Sequence, residues 1–521
     1  MTVDMIGYFF FKRRFHQIKQ VEGLSGKQVR HKIFYVGDGN GKHESSSCIS
    51  IESRHIFFPA NGLTENVYAG TIAFVKQHFI TEKTLWKQIS FYMEGEKMDT
   101  LFDCLKRGTA PERVVAFARE YLTGEGFEEL YYDRLFAPKL GGRYFITPFP
   151  DVLFAFTMGR KRAYIQSVRM AFAHVDQPCF KVKARPEFRS MESDMLNVEV
   201  YGGMMDHTWF DRPLGLAGTV ALKGEDVFKP NLVIYDSERP VAIIPGIAIH
   251  MQRDANSGWK IDRQKELMPV TGLSGAAWTE GAFAQFLAGE LDVDESEILS
   301  YDLNLYNFDE PQLVGITEEL VSSPRLDNLA SVSALLEALV EGERSNGINL
   351  IGLFNHEEVG SFTRSGADSE LLGGVLEGIF RTLGCDKEMY RASMAGSVYL
   401  SVDGAHGAHP NYPDRCDTTT RAYVGKGVAI KASGTFKYAT DAAVQAILLG
   451  LSEKYDVPLQ IINDRNNIRG GSTLGPMVGS HIPMRGCDIG VPMWAMHSAR
   501  ETMALSDYEA LCQLVTAFFV D

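Results

Sequence analysis

The chain has 521 residues, 45% of them hydrophobic and 23% charged, with a formal net charge of −14. That length exceeds what a single hydrophobic core fills, so two or more domains are expected, with the composition of a water-soluble globular protein. The acidic balance argues against nucleic acid as a partner, and no apolar run is long enough to span a membrane.

In the opening MTVDMIGYFFFKRRFHQ the charges follow a short aromatic patch, the reverse of a secretory signal, so a cytoplasmic location is expected. The 7 cysteines are scattered without CxxC spacing, which excludes a disulfide framework and a thiolate zinc site. Residues 1–97 hold 13 Lys and Arg against 9 Asp and Glu, a balance of +4 that leaves −18 for residues 98–521. They show neither a helical nor a strand period. This stretch is expected to be a poorly ordered extension or not part of the natural product, with Met93 and Met98 as candidate starts; a genuine accessory segment is the alternative.

From Met98 the texture changes. MDTLFDCLKRG and PERVVAFAREYLTGEGFEEL predict amphipathic helices, the second opening on a proline. YIQSVRMAFAHVDQPCF predicts a strand running into a loop at His174. VEVYGG, GTVALKG, NLVIYD and VAIIPGIAIHMQR predict a β-rich middle. Beyond 325, LASVSALLEALVEG and TDAAVQAILLGLSEKY predict helices, whereas INLIGLF, SVYLSVD, GVAIKAS and PLQIIND predict strands. Such alternation implies a three-layer α/β/α domain with a parallel or mixed sheet, interrupted by the β-rich middle. The expected division is 1–97 extension, 98–185 and 323–521 catalytic domain, and 186–322 insertion.

Five segments place acids or histidines where a strand should end: AFAHVDQP, SSPRLDNLAS, LFNHEEVGS, SVDGAHGAHPNY and MWAMHSARE. Ligands of open α/β sheets bind beyond the carboxyl ends of strands, so these segments can converge. Five of the 13 histidines fall there, beside paired carboxylates. Imidazole and carboxylate without thiolate suit Zn2+, Mn2+ or Co2+. One carboxylate could bridge two ions ~3.5–4 Å apart, and the Glu357-Glu358 pair could divide metal binding from proton transfer. Each segment alone has a plainer explanation: Asp327 as a helix cap, Glu357-Glu358 as solvated surface, His174 as a satisfied core residue. Five in one pattern favour a metal site.

The stretches AHVDQPCFKVKA, YGGMMDHTWFDRPLGLAG, SSPRLDNLAS, FNHEEVGS, DGAHGAHPNY, IKASGTFKYATD, GGSTLGP and MHSARE, in that order, resemble the M18 metallopeptidases, the aspartyl aminopeptidase and aminopeptidase I group. The resemblance runs from about residue 98 to the C-terminus. It implies a dimetal aminopeptidase with His174, Asp327, Glu358, Asp403 and His497 as metal ligands, Asp327 bridging, and Glu357 as general base. It further implies Asp176 orienting His174, His406 contacting substrate, Lys431 near the substrate side chain, and His207 lent by a neighbouring subunit. Zinc is the expected ion, with manganese or cobalt as alternatives. The insertion is expected to form dimer contacts within a tetrahedral homododecamer acting on peptides. Two departures, Gln177 for a small hydroxyl residue and Gly404 for the more usual methionine, touch no ligand. An acidic N-terminal residue is the expected preference, with a neutral one, as in the aminopeptidase I branch, as the alternative. Rival readings are another dimetal peptidase or deacylase, and a silent scaffold.

Overall fold

The structure, a computed structural model, describes residues 98–521 except 164–166, 274–277 and 469, together with three short strands nearer the N-terminus. The chain divides into two compact units, Met1–Phe91 and Tyr92–Asp521. In the first, Gln20–Val21, Ile33–Tyr35 and Cys48–Ser50 pair antiparallel. The expectation of a poorly ordered or non-native extension otherwise concerns residues outside those described.

The second unit is built on a mixed sheet of nine strands, in the order Leu459–Asn463, Val428–Ala432, Arg485–Gly490, Val398–Val402, Val168–His174, Ile348–Phe354, Val152–Met158, Arg143–Phe149 and Glu128–Leu130. Its central strands are buried on both sides, and their period of two divides them between two cores. Leu153, Ala155, Ala171, Ala173, Ile351 and Leu353 face one core, which takes in the helices Pro111–Gly124, Leu326–Glu341, Ala442–Tyr455 and Leu505–Val520. Phe154, Phe156, Met170, Phe172, Leu350 and Phe354 face the other, with the helices Leu371–Thr382, Lys387–Ala395 and Leu474–His481. This is the three-layer α/β/α arrangement with a mixed sheet.

A second sheet of five strands runs in the order Gln312–Val314, Leu320–Ser323, Glu501–Ala504, Pro492–Trp494 and Ala405–His406. Between strand Val168–His174 and helix Leu326–Glu341 the chain makes a closed antiparallel barrel. Pro213–Asp226 pairs with Ala242–Ile243 on one edge and Ile298–Asn307 on the other, and Val270–Gly272, Ser193–Tyr201 and Cys179–Ser190 complete the ring. Lys229–Asp236 adds a hairpin arm. Phe180, Trp209, Leu214, Leu216, Leu303 and Leu305 are in its interior.

The barrel strands run from Cys179 to Asn307, so the stretch 186–322 starts inside the first of them and continues past the last. VAIIPGIAIHMQR is not the long strand its apolar pattern suggests; only Ala242–Ile243 pairs. Pro245 has no N–H to give a ladder, and the next N–H, of Gly246, is donated to Asp211 Oδ1 at 2.7 Å.

Candidate metal centre

Three neighbouring parallel strands deliver side chains to one end of the large sheet. Phe354 pairs with His174, and Ser401 with Phe172, so the residues after Phe354 and Val402 emerge beside His174. These are the turn His356-Glu357-Glu358 and Asp403. Asp327 enters from the start of helix Leu326–Glu341, where its backbone departs from helical geometry. His497 comes from the loop between Pro492–Trp494 and Glu501–Ala504.

His174, 1% exposed, places Nδ1 2.9 Å from the backbone carbonyl of Asp176 and 3.5 Å from its Oδ1. The orienting contact expected from the Asp176 carboxylate is therefore made first by its carbonyl. The carboxylate instead accepts the N–H groups of Glu357 at 3.1 Å and Glu358 at 3.2 Å, and the Tyr201 hydroxyl at 2.6 Å. Nε2 of His174 faces Asp327 Oδ1 and Asp403 Oδ1, both at 3.4 Å.

His497 repeats the pattern. Nδ1 lies 3.0 Å from the Gly203 carbonyl, and Nε2 lies 3.4 Å from Asp327 Oδ2 and 3.3 Å from Glu358 Oε1. The two oxygens of Asp327 are thus split between the two imidazoles. Asp403 Oδ2 accepts from Lys431 Nζ at 3.1 Å, and Oδ1 from the Gly404 N–H at 2.7 Å. Lys431 is 3% exposed, so its ammonium is committed to Asp403 at the base of the site. His406 is exposed at the rim of a depression shared with His409, Met493, Trp494, Met496 and His497. Of the remaining histidines, His356 pairs with Thr363 Oγ1 at 2.8 Å, and His409 accepts from the Asn411 N–H at 3.2 Å. His207 is exposed on the barrel turn Asp206–Trp209.

These distances leave a space for cations. With each Nδ1–H given to a carbonyl, each Nε2 can meet carboxylate oxygens only through a proton or a metal ion. Three sets of donor atoms, His174 with Asp327 and Asp403, Asp327 with Glu358 and His497, and His174 with Glu357 and Glu358, each lie within 4.8 Å of one another. Asp327 Oδ1 and Glu358 Oε1 are buried without a hydrogen bond. Six carboxyl groups (Asp176, Asp327, Glu357, Glu358, Asp403 and Glu501) gather here, and the one lysine, Lys431, pairs with Asp403 alone among them. Burying that much unbalanced charge is costly unless cations balance it. The residues present fit divalent metal with nitrogen and oxygen ligands.

The titration shifts have the same origin. Burial pushes Glu357 up to about 8, with Asp403, Asp176 and Asp327 adding to the push against the pull of His174. Burial, opposed by His497 but reinforced by Asp327, holds Glu358 well above the carboxylate range. Burial resists charge on His497, but Asp327 and Glu358 outweigh it and carry it to about 10.

Sequence reasoning missed two residues here. Glu501, 2% exposed, accepts the Asp327 N–H at 2.9 Å and the His497 N–H at 2.7 Å. Tyr201, from the barrel, holds Asp176. Both lie inside stretches that carry the resemblance, MHSARE and YGGMMDHTW, but they act on backbone amides and on a second carboxylate, which spacing does not reveal. The two departures are explained locally. Gln177 Nε2 reaches the Thr109 carbonyl at 3.3 Å. The methyl ends of Met493 and Met496 occupy the space beside Gly404, each 2.9 Å from where a Cβ would stand.

The family model described as Aminopeptidase I zinc metalloprotease (M18) matches residues 104–519. The chain is 38% identical over 410 residues to a Clostridium novyi protein described as Probable M18 family aminopeptidase 2, covering 78% of this chain and 95% of that one. Among solved structures, a chain of the cryo-EM structure of the Ape4 and Nbr1 complex superposes with a TM-score of 0.77 at 31% identity, over 81% of this chain and 85% of that chain. The S. cerevesiae mApe1 dodecamer gives 0.71 at 23% identity, over 82% and 97%.

Proposed function

Because this chain belongs to the M18 family of zinc metallo-aminopeptidases, we propose that it removes N-terminal residues from peptides at a site that would hold two divalent ions, with Asp327 common to both positions. His174 and Asp403 complete one position, and His497 and Glu358 the other. The observation that carries this reading is the division of the Asp327 oxygens between two donor sets. Zinc is the ion the donors and the family favour, with manganese or cobalt as alternatives.

When bound, the ions polarise the scissile carbonyl and make a water more acidic. Glu357, half-buried beside His174 and Glu358, accepts the proton of that water and returns it to the leaving amine. Asp176 fixes the Glu357 backbone while it does so, His406 approaches the developing oxyanion from the rim, and Lys431 holds Asp403 in place. His207, exposed on the barrel turn, is assigned to the site of a neighbouring subunit, and the barrel to the dimer contact within a tetrahedral dodecamer. That assembly is supported by the likeness to the mApe1 dodecamer. A cytoplasmic location is supported by the scatter of the cysteines, Cys104, Cys179 and Cys487 being buried outside any disulfide.

An acidic N-terminal residue is the proposed preference, supported by the resemblance to the aspartyl aminopeptidases. The apolar lining of the depression beside His497, Met493 with Trp494 and Met496, favours the second reading, a neutral residue. The test is release of the first residue from Asp-, Glu-, Leu- and Lys-initiated peptides and an N-acetylated control, using metal-stripped enzyme reloaded with zinc, manganese or cobalt. Metal-dependent cleavage led by Asp or Glu, with the control intact, is expected. Cleavage led by Leu moves the preference to the neutral branch. A cleaved control indicates a deacylase or another dimetal peptidase, and silence with every metal indicates a scaffold.

A further inference from the structure

We propose that Glu501 is a positioning residue that fixes two metal-donor side chains, Asp327 and His497, by holding both of their backbone amides on one buried carboxylate. The proposal rests on the donor assignment given above. Asp327 and His497 come from different elements, the start of helix Leu326–Glu341 and the loop after Pro492–Trp494. Their backbones are irregular. Arg325 has φ +62°, Asp327 departs from helical geometry with φ −83° and ψ 105°, and His497 has φ +65°. Neither N–H finds an acceptor in a helix or sheet ladder, so each depends on an outside acceptor. Glu501 supplies both, with Oε2 2.9 Å from the Asp327 nitrogen and Oε1 2.7 Å from that of His497.

The clamp is itself anchored. Glu501 pairs with Ser323 across the antiparallel strands Leu320–Ser323 and Glu501–Ala504, four residues before Asp327. The neighbouring Arg500 binds Ser322 through its hydroxyl at 2.9 Å and its carbonyl at 2.7 Å. Asp176 plays the matching part for the Glu357 and Glu358 amides. Two buried carboxylates, neither among the donor sets, thus hold the backbones of four site residues. Each oxygen of the Glu501 side chain takes one of the two N–H groups. An amide in the same place would turn its NH2 towards one of them.

Glu501→Gln therefore separates positioning from packing, since it keeps the size and loses one acceptor. Metal-stripped, assembled enzyme is titrated with zinc against a chelating competitor, and kcat and KM are measured on the reloaded protein. The expected result is zinc affinity about 10–100-fold weaker and a lower kcat at unchanged KM. The rise in melting temperature on zinc loading should shrink, while the metal-free form melts close to wild type. Should Glu501→Gln fail to fold, Glu501→Asp, which keeps the charge but not the reach, is expected to shift zinc affinity and kcat the same way. Wild-type affinity and kcat in a folded variant would overturn the proposal. So would equal drops in melting temperature with and without metal, which mark a purely structural role. Asp327→Asn is the control. If it loses zinc while the Glu501 variants do not, the clamp alone is refuted; if it too keeps wild-type affinity, the donor assignment falls and the clamp with it.

Discussion

His174 and His497 are not equivalent in sequence, yet they solve the same problem in the same way. Each gives Nδ1 to a carbonyl and turns Nε2 towards Asp327. A carbonyl partner fixes tautomer and ring plane without adding charge, which leaves the negative charge of the site to the groups that face the cations. Glu357 belongs to neither of the two sets that share Asp327, but it lies half-buried among their charges. That is where a proton acceptor for water is needed, and Glu357→Gln tests it. The amide cannot take a proton, so kcat should fall at least ~10²–10⁴-fold. Metal content by elemental analysis should stay at the wild-type value, because the two sets sharing Asp327 are intact. Retained turnover would remove Glu357 from the base role. At this scale the sequence was informative wherever a side chain acts by its own chemistry. His174, Asp327, Glu357, Glu358, Asp403 and His497 all sit in strand-end or helix-start segments rich in acids and imidazoles. Glu501 and Tyr201 act on an amide or a second carboxylate, and such partners come from distant positions that no local pattern connects.

Among the elements, the three parallel strands ending at His174, Phe354 and Val402 do most to assemble the site, and a fourth, Arg485–Gly490, closes on the last of them through a glycine. A Cβ on Gly490 would stand 1.6 Å from the Asp403 carbonyl oxygen. The same carbonyl belongs to a residue whose N–H is already given to Ile489 at 3.0 Å, so the backbone has no room to yield. Gly490→Ala should displace Asp403 and lower both zinc affinity and kcat by tenfold or more, an effect of the size seen when ligand-supporting contacts are lost. Gly450, in helix Ala442–Tyr455, is the contrasting case, with nothing within 4 Å of its missing Cβ. Gly450→Ala should raise stability by ~1 kcal/mol and leave kcat alone. Both are read by zinc titration and thermal melting.

Helix Leu505–Val520 offers a prediction on pH. Asp507 in its first turn is fully buried and accepts the N–H groups of Gly425 and Gly427, each at 2.6 Å. Burial raises it to about 6 despite those two bonds. Between an unfolded value of ~3.9 and about 6 the folded chain binds more protons than the unfolded chain. Stability from this group is therefore fully present below ~4 and lost as pH rises through 6. Asp507→Asn should compare worst with wild type at pH 4.5 and better at pH 7, in melts that would show a constant difference if Asp507 did not titrate. Period and texture made these strands and helices legible, down to the strand that ends at His174. They failed at VAIIPGIAIHMQR, where one proline outweighs an apolar run.

For the whole molecule, the question is why a barrel is inserted beside a metal centre. Its closure was not legible, because a period of two identifies strands but not partners. Leu214 finds Asn307 across 93 positions. The answer lies in the segment from Tyr201 to Trp209. Tyr201 holds Asp176, the Gly203 carbonyl takes His497 Nδ1, and the Met205 N–H is given to the His497 carbonyl at 3.0 Å. Thr208 Oγ1 accepts the Ala499 N–H at 2.9 Å, and Trp209 packs in the barrel core. His207 sits within this same segment but is exposed. A segment fixed along its length to residues around its own site, with an exposed imidazole, is suited to serving two sites at once. If His207 completes the site of a neighbour, two inactive variants should repair one another. In co-expressed, differently tagged pairs of Glu357→Gln and His207→Ala, the first subunit keeps the histidine that the second lacks. The second keeps the base. A two-fold pair then holds one complete site, so roughly half the wild-type kcat per chain is expected from purified hybrids, against near silence from either variant alone. Were His207 to serve its own chain, every site in the hybrid would lack one of the two groups, and no recovery would be seen.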